Sequence, residues 1–280
     1  MRSTVGTVAF DNLTMDETVA QIQKLVESRG EPAHICTGNL HHLAMLQNDA
    51  EFRAIYASAA LVLADGSPVV WLSRLSPEGT LKERVTGSDL FWRLAQLSAT
   101  RGVRLFYLGG VDGAAEQAAE VVRKRYPGVQ VCGTYCPPFK AFGTEAEQER
   151  IRAAVCDAKP DILLVGLGAP KQEKWIGANK HRIGVPVSIG VGASFEMAAG
   201  LVQRAPVWMQ KVGMEWGYRL VQEPMRLWRR YILNDVPLVL GLALCAAGCR
   251  KLRENQYAPG SMPSHSLPSP VDAVWVDQAS

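Results

Sequence analysis

A chain of 280 residues with 48% hydrophobic and 20% charged residues can bury one large α/β core and still carry an appendage. Lys and Arg exceed Asp and Glu by only three, 30 against 27, and with an isoelectric point near 8.5 this argues against a nucleic-acid binder. The six cysteines (Cys36, Cys132, Cys136, Cys156, Cys245, Cys249) form no C-x-x-C pair, and the N-terminus lacks the basic-then-apolar pattern of an export signal. The expectation is a reduced, cytoplasmic protein without a disulfide frame or zinc site.

Along residues 1–200, apolar β-branched runs alternate with helical patterns, without an internal repeat. Strands are predicted at 33–36, 61–64, 104–108, 129–133, 162–166 and 185–190, and helices at 16–28, 88–100, 113–125, 145–158 and 171–179. Continuous apolar strands separated by helices predict a Rossmann-like α/β fold, a mainly parallel sheet covered on both faces. Such folds bind ligands beyond the carboxyl ends of their strands, so chemistry is sought in the loops that follow them.

The loop after the first of these strands carries Thr37, Asn39, His41 and His42. Adjacent histidines on a helix point apart and have no Asp, Glu or Cys at ligand spacing, so no metal is expected. Asp65 ends the next apolar strand, where partial desolvation raises a carboxyl pKa and suits a general base; Asp65-Gly66 is equally an ordinary turn dipeptide. In Glu83-Arg84-Val85-Thr86-Gly87-Ser88-Asp89, Ser88 is the candidate helix cap, and Arg84 is either a surface cation or a phosphate ligand. Three later loops bear glycines: Gly109-Gly110, Gly166-Leu167-Gly168 leading to Pro170-Lys171-Gln172-Glu173, and Gly190-Val191-Gly192. Each alone serves as a tight strand-to-helix turn, and together they point to a nucleotide. None completes G-x-G-x-x-G, no acidic residue stands about 20 positions beyond, and no P-loop occurs, which weakens a nucleotide-dependent oxidoreductase as the alternative.

Residues 204–231 hold six basic and two acidic side chains, a local charge of +4 in a chain of +3, together with Trp208, Trp216 and Trp228. Arginine forks grip phosphates and tryptophan favours the water–lipid boundary, so a membrane-held phosphate ligand could meet this segment; an amphipathic helix with a solvated basic face fits it too. The apolar run 236–248 falls short of the roughly 20 residues that span a bilayer, and peripheral membrane contact is expected there. The expected division is a catalytic domain at 1–203, a basic and aromatic appendage at 204–254, and a Pro/Ser-rich disordered tail at 255–280.

The motifs, in order, are Thr37-x-Asn39, Ala64-Asp65-Gly66-x-Pro68, Glu83-Arg84-Val85-Thr86-Gly87, Leu108-Gly109-Gly110, Tyr126-Pro127-Gly128 and Cys136-Pro137-Pro138-Phe139. They continue with Gly166-x-Gly168-x-Pro170-Lys171-Gln172-Glu173, Gly190-Val191-Gly192-Ala193, Gly200 with Arg204-Ala205-Pro206, and Glu215-Trp216-x-x-Arg219-Leu220 with Glu223-Pro224-x-Arg226. Over roughly residues 5–233 this set resembles the WecG/TagA/CpsF glycosyltransferase family. The resemblance implies inverting transfer of a sugar (an N-acetylmannosamine type, its uronic acid, or glucose) from a UDP-sugar to a polyprenyl-diphosphate-linked saccharide. That work would serve bacterial cell-surface polysaccharide synthesis at the inner face of the cell membrane.

The same resemblance implies Asp65 as base, with Thr37, Asn39, Arg84 and Gln172 around the sugars. Gly109, Gly110, Tyr135, Gly166, Gly168, Lys171, Glu173, Gly190, Gly192 and Glu196 would hold the nucleotide sugar, and Arg219, Arg226 and Arg229 the lipid diphosphate. No D-x-D motif occurs, so metal-independent activity without a cofactor is expected, with leaving-group charge met by loop amides and arginines. A homo-oligomer is allowed. Two positions depart from the family pattern: Glu196 where it usually has Asp, and Gly217 where it has a larger apolar residue. A non-catalytic scaffold, a further alternative, would tolerate loss of Asp65, which is intact here.

Overall fold

The structure is a computed structural model and describes residues 2–222, 224–229 and 235–246. It opens with an antiparallel hairpin, β1 (Arg2–Val5) and β2 (Val8–Asp11), turned by Gly6 at φ 65°. Helix α1 (Met15–Ser28) follows behind a capping box, in which Thr14 accepts from the Glu17 amide and Glu17 accepts from the Thr14 amide. The main sheet contains β3 (Ala33–Gly38), β4 (Leu61–Ala64), β5 (Arg104–Gly109), β6 (Gln130–Tyr135), β7 (Ile162–Gly166) and β8 (Val187–Gly190). All its pairings are parallel, in the order β4-β3-β8-β7-β5-β6. The α/β sheet read from the sequence is present.

Between β3 and β4 lie α2 (Leu40–Leu46) and α3 (Ala50–Ala57), and after β4 comes the short α4 (Ser67–Leu72). Then come α5 (Gly87–Arg101), α6 (Ala114–Arg125), α7 (Glu145–Ala158), α8 (Lys171–Ile183) and α9 (Ser194–Ala198). Alternation along the strands sends neighbouring side chains into different cores. Leu105, Tyr107, Ile162 and Leu164 meet α1, α5, α6 and α9 on one face, while Phe106, Leu108, Leu163 and Val165 meet α7 and α8 on the other. Continuous apolar strands are therefore needed, because both faces are dry.

Several predicted boundaries shift, for local reasons. β8 starts at Val187 rather than 185, since Pro186 has no amide for the ladder. α8 runs past 179 to Ile183, where Gly184 closes it at φ 63°. Ser88 is not the cap of α5: Thr86 is, accepting from the Asp89 amide, and Ser88 lies inside the first turn. Two-residue strand extensions at β3 and β6 continue ladders that their neighbours keep supplied.

The appendage forms α10 (Val207–Lys211), α11 (Glu215–Gln222), α12 (Pro224–Arg229) and α13 (Val236–Ala246), with α12 starting at the proline that breaks the ladder. The apolar run forms α13, which packs along one edge. Leu238 and Leu242 are buried in a second core with Val5, Val8 and Phe10 of the hairpin, leaving Val236 and Leu240 exposed. The expected tail at 255–280 lies outside the described residues. Among the described residues, no helix is long and apolar enough to cross a membrane.

The hairpin also guards the sheet: it packs beside β4, and the Asp11 carboxylate accepts from the Val62 amide at 2.9 Å. At the other end of the fold, Phe195 stacks on Tyr107 with ring centroids 5.1 Å apart and meets Phe91 edge-on at 6.0 Å. It is fully buried, so Phe195→Ala is expected to cost about 3–5 kcal/mol in chemical denaturation; a loss below about 1 kcal/mol would show that this aromatic cluster is not a keystone.

Candidate active site

The carboxyl ends of the strands converge because glycines let them. Gly109 sits at φ 97°, and a Cβ there would lie 2.8 Å from the Gly166 carbonyl oxygen. Gly166 has no room either, with the Phe195 ring 2.8 Å from where its Cβ would stand. The Gly110 amide donates to the Gly166 carbonyl at 2.8 Å, joining the loops after β5 and β7. At this point the chain leaves β5 towards β6 and leaves β7 in the opposite direction towards β8, a topological switch point that opens a crevice.

Four amides of this crevice are already engaged. Besides Gly110, Val111 donates to Glu196 Oε1 at 3.1 Å, Val191 to the Val165 carbonyl at 2.9 Å, and Gly192 to Gln172 Oε1 at 3.1 Å. The glycine loops thus give close approach, while the amides expected to meet leaving-group charge at these four positions hold the loops together. Glu196 keeps a second, buried oxygen without a partner among the described residues.

Two strands away, the ends of β3, β4 and β8 are laced to each other. The Asp65 amide donates to the Gly38 carbonyl at 2.9 Å, the Val85 amide to Ala64 at 2.8 Å, and the Thr37 hydroxyl to Gly190 at 2.8 Å. Asn39 caps α2 by accepting from the His42 amide at 3.2 Å. Gln172, buried on the first turn of α8, gives its amide nitrogen to Glu173 Oε1 at 2.7 Å, and its Nε2 stands 2.6 Å from where a Cβ of Gly190 would be. Asp65, Thr37, Asn39 and Gln172 therefore share one end of the sheet with Gly190 and Gly192. His42 lies in the core instead, edge-on to Phe52 and Tyr56.

Asp65 is half-buried, and burial pushes its carboxyl up to about 6. The Arg219 cation pulls it back down, Glu215 adds to the rise, the Gly87 amide lowers it and Asp89 raises it. Arg219 and Glu215 come from α11, so this late helix reaches the end of β4. Arg84 reaches Glu215 Oε2 at 3.0 Å, Arg204 reaches Glu215 Oε1 at 3.2 Å, and a second nitrogen of Arg204 reaches Asp89 Oδ2 at 3.0 Å. The turn at Gly213 wedges against Trp71 and Ser67 of α4, where a Cβ would stand 2.3 Å from the indole.

Of the other expected ligands, Tyr135 ends the edge strand β6 and its hydroxyl donates to Glu147 at 2.7 Å, while Lys171 opens α8 beside Gln172 and lies 5.1 Å from the centre of the exposed Phe139 ring. Arg226 and Arg229 belong to α12, but their side chains lie outside the described residues. Arg204, Glu215 and Asp89 had no assigned role in the sequence reading. Arg204 and Glu215 stand in motifs quoted above, and Asp89 is the third residue after the cap of α5.

Glu173 is almost wholly buried below the site; one carboxylate oxygen has no partner among the described residues, and burial raises its pKa to about 7. The folded state holds that proton up to about 7, whereas the unfolded chain releases it near 4.5. The group's stability contribution is thus complete below 4.5 and is lost as pH rises through about 7. Glu173→Gln should therefore gain stability relative to the parent between pH 5 and pH 8, measured by denaturation at both. An unchanged difference would show that Glu173 is ionised throughout.

Compared with known proteins, residues 3–252 match the family model described as glycosyl transferase WecG/TagA/CpsF family. An N-acetylglucosaminyldiphosphoundecaprenol N-acetyl-beta-D-mannosaminyltransferase of Bacillus subtilis (strain 168) is 28% identical over 229 residues, 82% of this chain and 86% of that one. The protein of the same description from Staphylococcus aureus (strain MW2) is 27% identical over 234 residues, 83% of this chain and 88% of that one.

Proposed function

Because this chain belongs to the WecG/TagA/CpsF family and is a glycosyltransferase, we propose that it extends a polyprenyl-diphosphate-linked saccharide with a sugar taken from a UDP-sugar. The donor is an N-acetylmannosamine-type sugar, its uronic acid, or glucose, and the product enters a cell-surface polysaccharide. The N-acetylmannosaminyl transfer named for the similar proteins supports the first of these. The enzyme works peripherally at the cytoplasmic face of the membrane, where Trp208, exposed at 65%, and its neighbours on the appendage meet lipid.

The observation that carries this reading is Asp65: a half-buried carboxyl at the end of β4, with a cation from the appendage beside it. In the reaction Asp65 takes the proton of the acceptor hydroxyl. That oxygen attacks the anomeric carbon from the face opposite the nucleotide, and the bond to UDP breaks with its electron pair leaving on the diphosphate. One displacement inverts the anomeric configuration. Since four loop amides are internally engaged, Lys171 and the arginines carry the leaving-group charge. Thr37, Asn39, Gln172 and Arg84 frame the sugars, the glycine loops with Glu196 hold the nucleotide, and Arg219, Arg226 and Arg229 hold the lipid diphosphate. No metal or cofactor takes part.

Turnover of a panel of UDP-sugars with a polyprenyl-diphosphate-sugar analogue tests the class. Asp65→Asn should lower kcat by about 10²–10⁴ while UDP still binds; unaltered turnover would remove Asp65 as the base. A base that keeps its proton up to about 6 works only above that pH, so kcat/KM should fall as pH drops through about 6 and level off above it. A profile flat from pH 5 to 8 would contradict this. Activity should survive EDTA, and a loss that added divalent metal restores would overturn the metal-free route.

A further inference from the structure

Glu215 belongs to the Glu-Trp motif, and the reaction above gives it nothing to do. We infer that Glu215 is a positioning residue: by holding Arg84 with one oxygen and Arg204 with the other, it fastens α11 across the site so that Arg219 stands beside Asp65. This rests on the proposed role of Asp65.

The packing of α11 leaves work for a tether. The helix is at most half-buried, and the Gly213 turn before it rests on Trp71 and Ser67. Arg219 reaches the Met197 sulfur at 3.7 Å. The two ion pairs, at 3.0 and 3.2 Å, are by contrast well shielded: the side chains of Glu215, Arg84 and Arg204 are 16%, 22% and 20% exposed. Arg204 continues the chain to Asp89 at 3.0 Å, and Asp89 accepts from the Thr86 hydroxyl at 2.8 Å. Thr86 caps α5, whose first residue, Gly87, turns its amide to Asp65. The tether therefore ends on the helix that borders the base. Near Asp65 stand Arg219 and Glu215 from α11, Asp89 and the Gly87 amide from α5, and the buried Tyr56 of α3.

Two readouts separate positioning from a simple charge effect. In Glu215→Gln, trypsin should cut within residues 204–222 about tenfold faster while the body stays intact, because a segment held by few contacts opens locally. The acid limb of kcat/KM should move to higher pH, as in Arg219→Gln, since Arg219 outweighs Glu215 at Asp65. The double variant should move no further than either single one. A limb displaced to lower pH would mean that only a negative charge was removed and α11 stayed in place, which overturns the inference; so would unchanged cleavage and an unchanged limb. Should Glu215→Gln fail to fold, Arg204→Gln, which cuts one arm of the tether, should also speed cleavage, and no change there would refute the tether. If Asp65→Asn retains turnover, the base assignment falls, while the cleavage rates still decide whether Glu215 fastens α11.

Discussion

The site depends on a steric constraint: the ends of β5, β7 and β8 come closer than any side chain permits. A Cβ at Gly109 would meet the Gly166 carbonyl at 2.8 Å, one at Gly166 would meet Phe195 at 2.8 Å, and one at Gly190 would meet Gln172 at 2.6 Å. This closeness lets Gln172 bridge to Gly192 and lets Thr37 reach Gly190 across the strands. The site is thus built inward from bare backbone, and the side chains that do project there come from the strand ends and from the first turn of α8.

Around this floor the charges balance by opposition. Burial pushes Asp65 towards its neutral form, and a cation borrowed from a distant part of the chain restrains the push. Glu173, deeper and with no cation to answer it, is pushed further. Two carboxyls near one site therefore differ through surroundings alone: one can exchange a proton with a ligand, and the other serves as an acceptor that holds Gln172 in a single orientation.

Most of the sheet was legible in the sequence. Runs such as Ile162-Leu163-Leu164-Val165 leave no polar face, and strands buried on both sides require that. The hairpin was not legible, because its strands have four residues each and gain their meaning only by packing on β4 and α13. The gathering of Asp65, Thr37, Asn39 and Gln172 could be anticipated, since each ends or follows a strand or opens a helix. The part of Glu215 could not be: its partner Arg84 lies 131 residues earlier, and sequence periodicity carries no information across such a gap. The internal use of the loop amides was hidden for a similar reason, as a glycine pattern reveals permissive backbone but not which carbonyl will claim the hydrogen.

The hairpin and α13 share one core, and one methyl group of Leu242 lies 3.4 Å from where a Cβ of Gly6 would stand. The beginning and the end of the described chain are therefore neighbours. During synthesis the hairpin can pack early on residues 36–81, which share its core, but the side closed by Leu238 and Leu242 stays open until α13 follows. A product truncated before α13 therefore carries an open apolar surface by which the cell's quality control can recognise it.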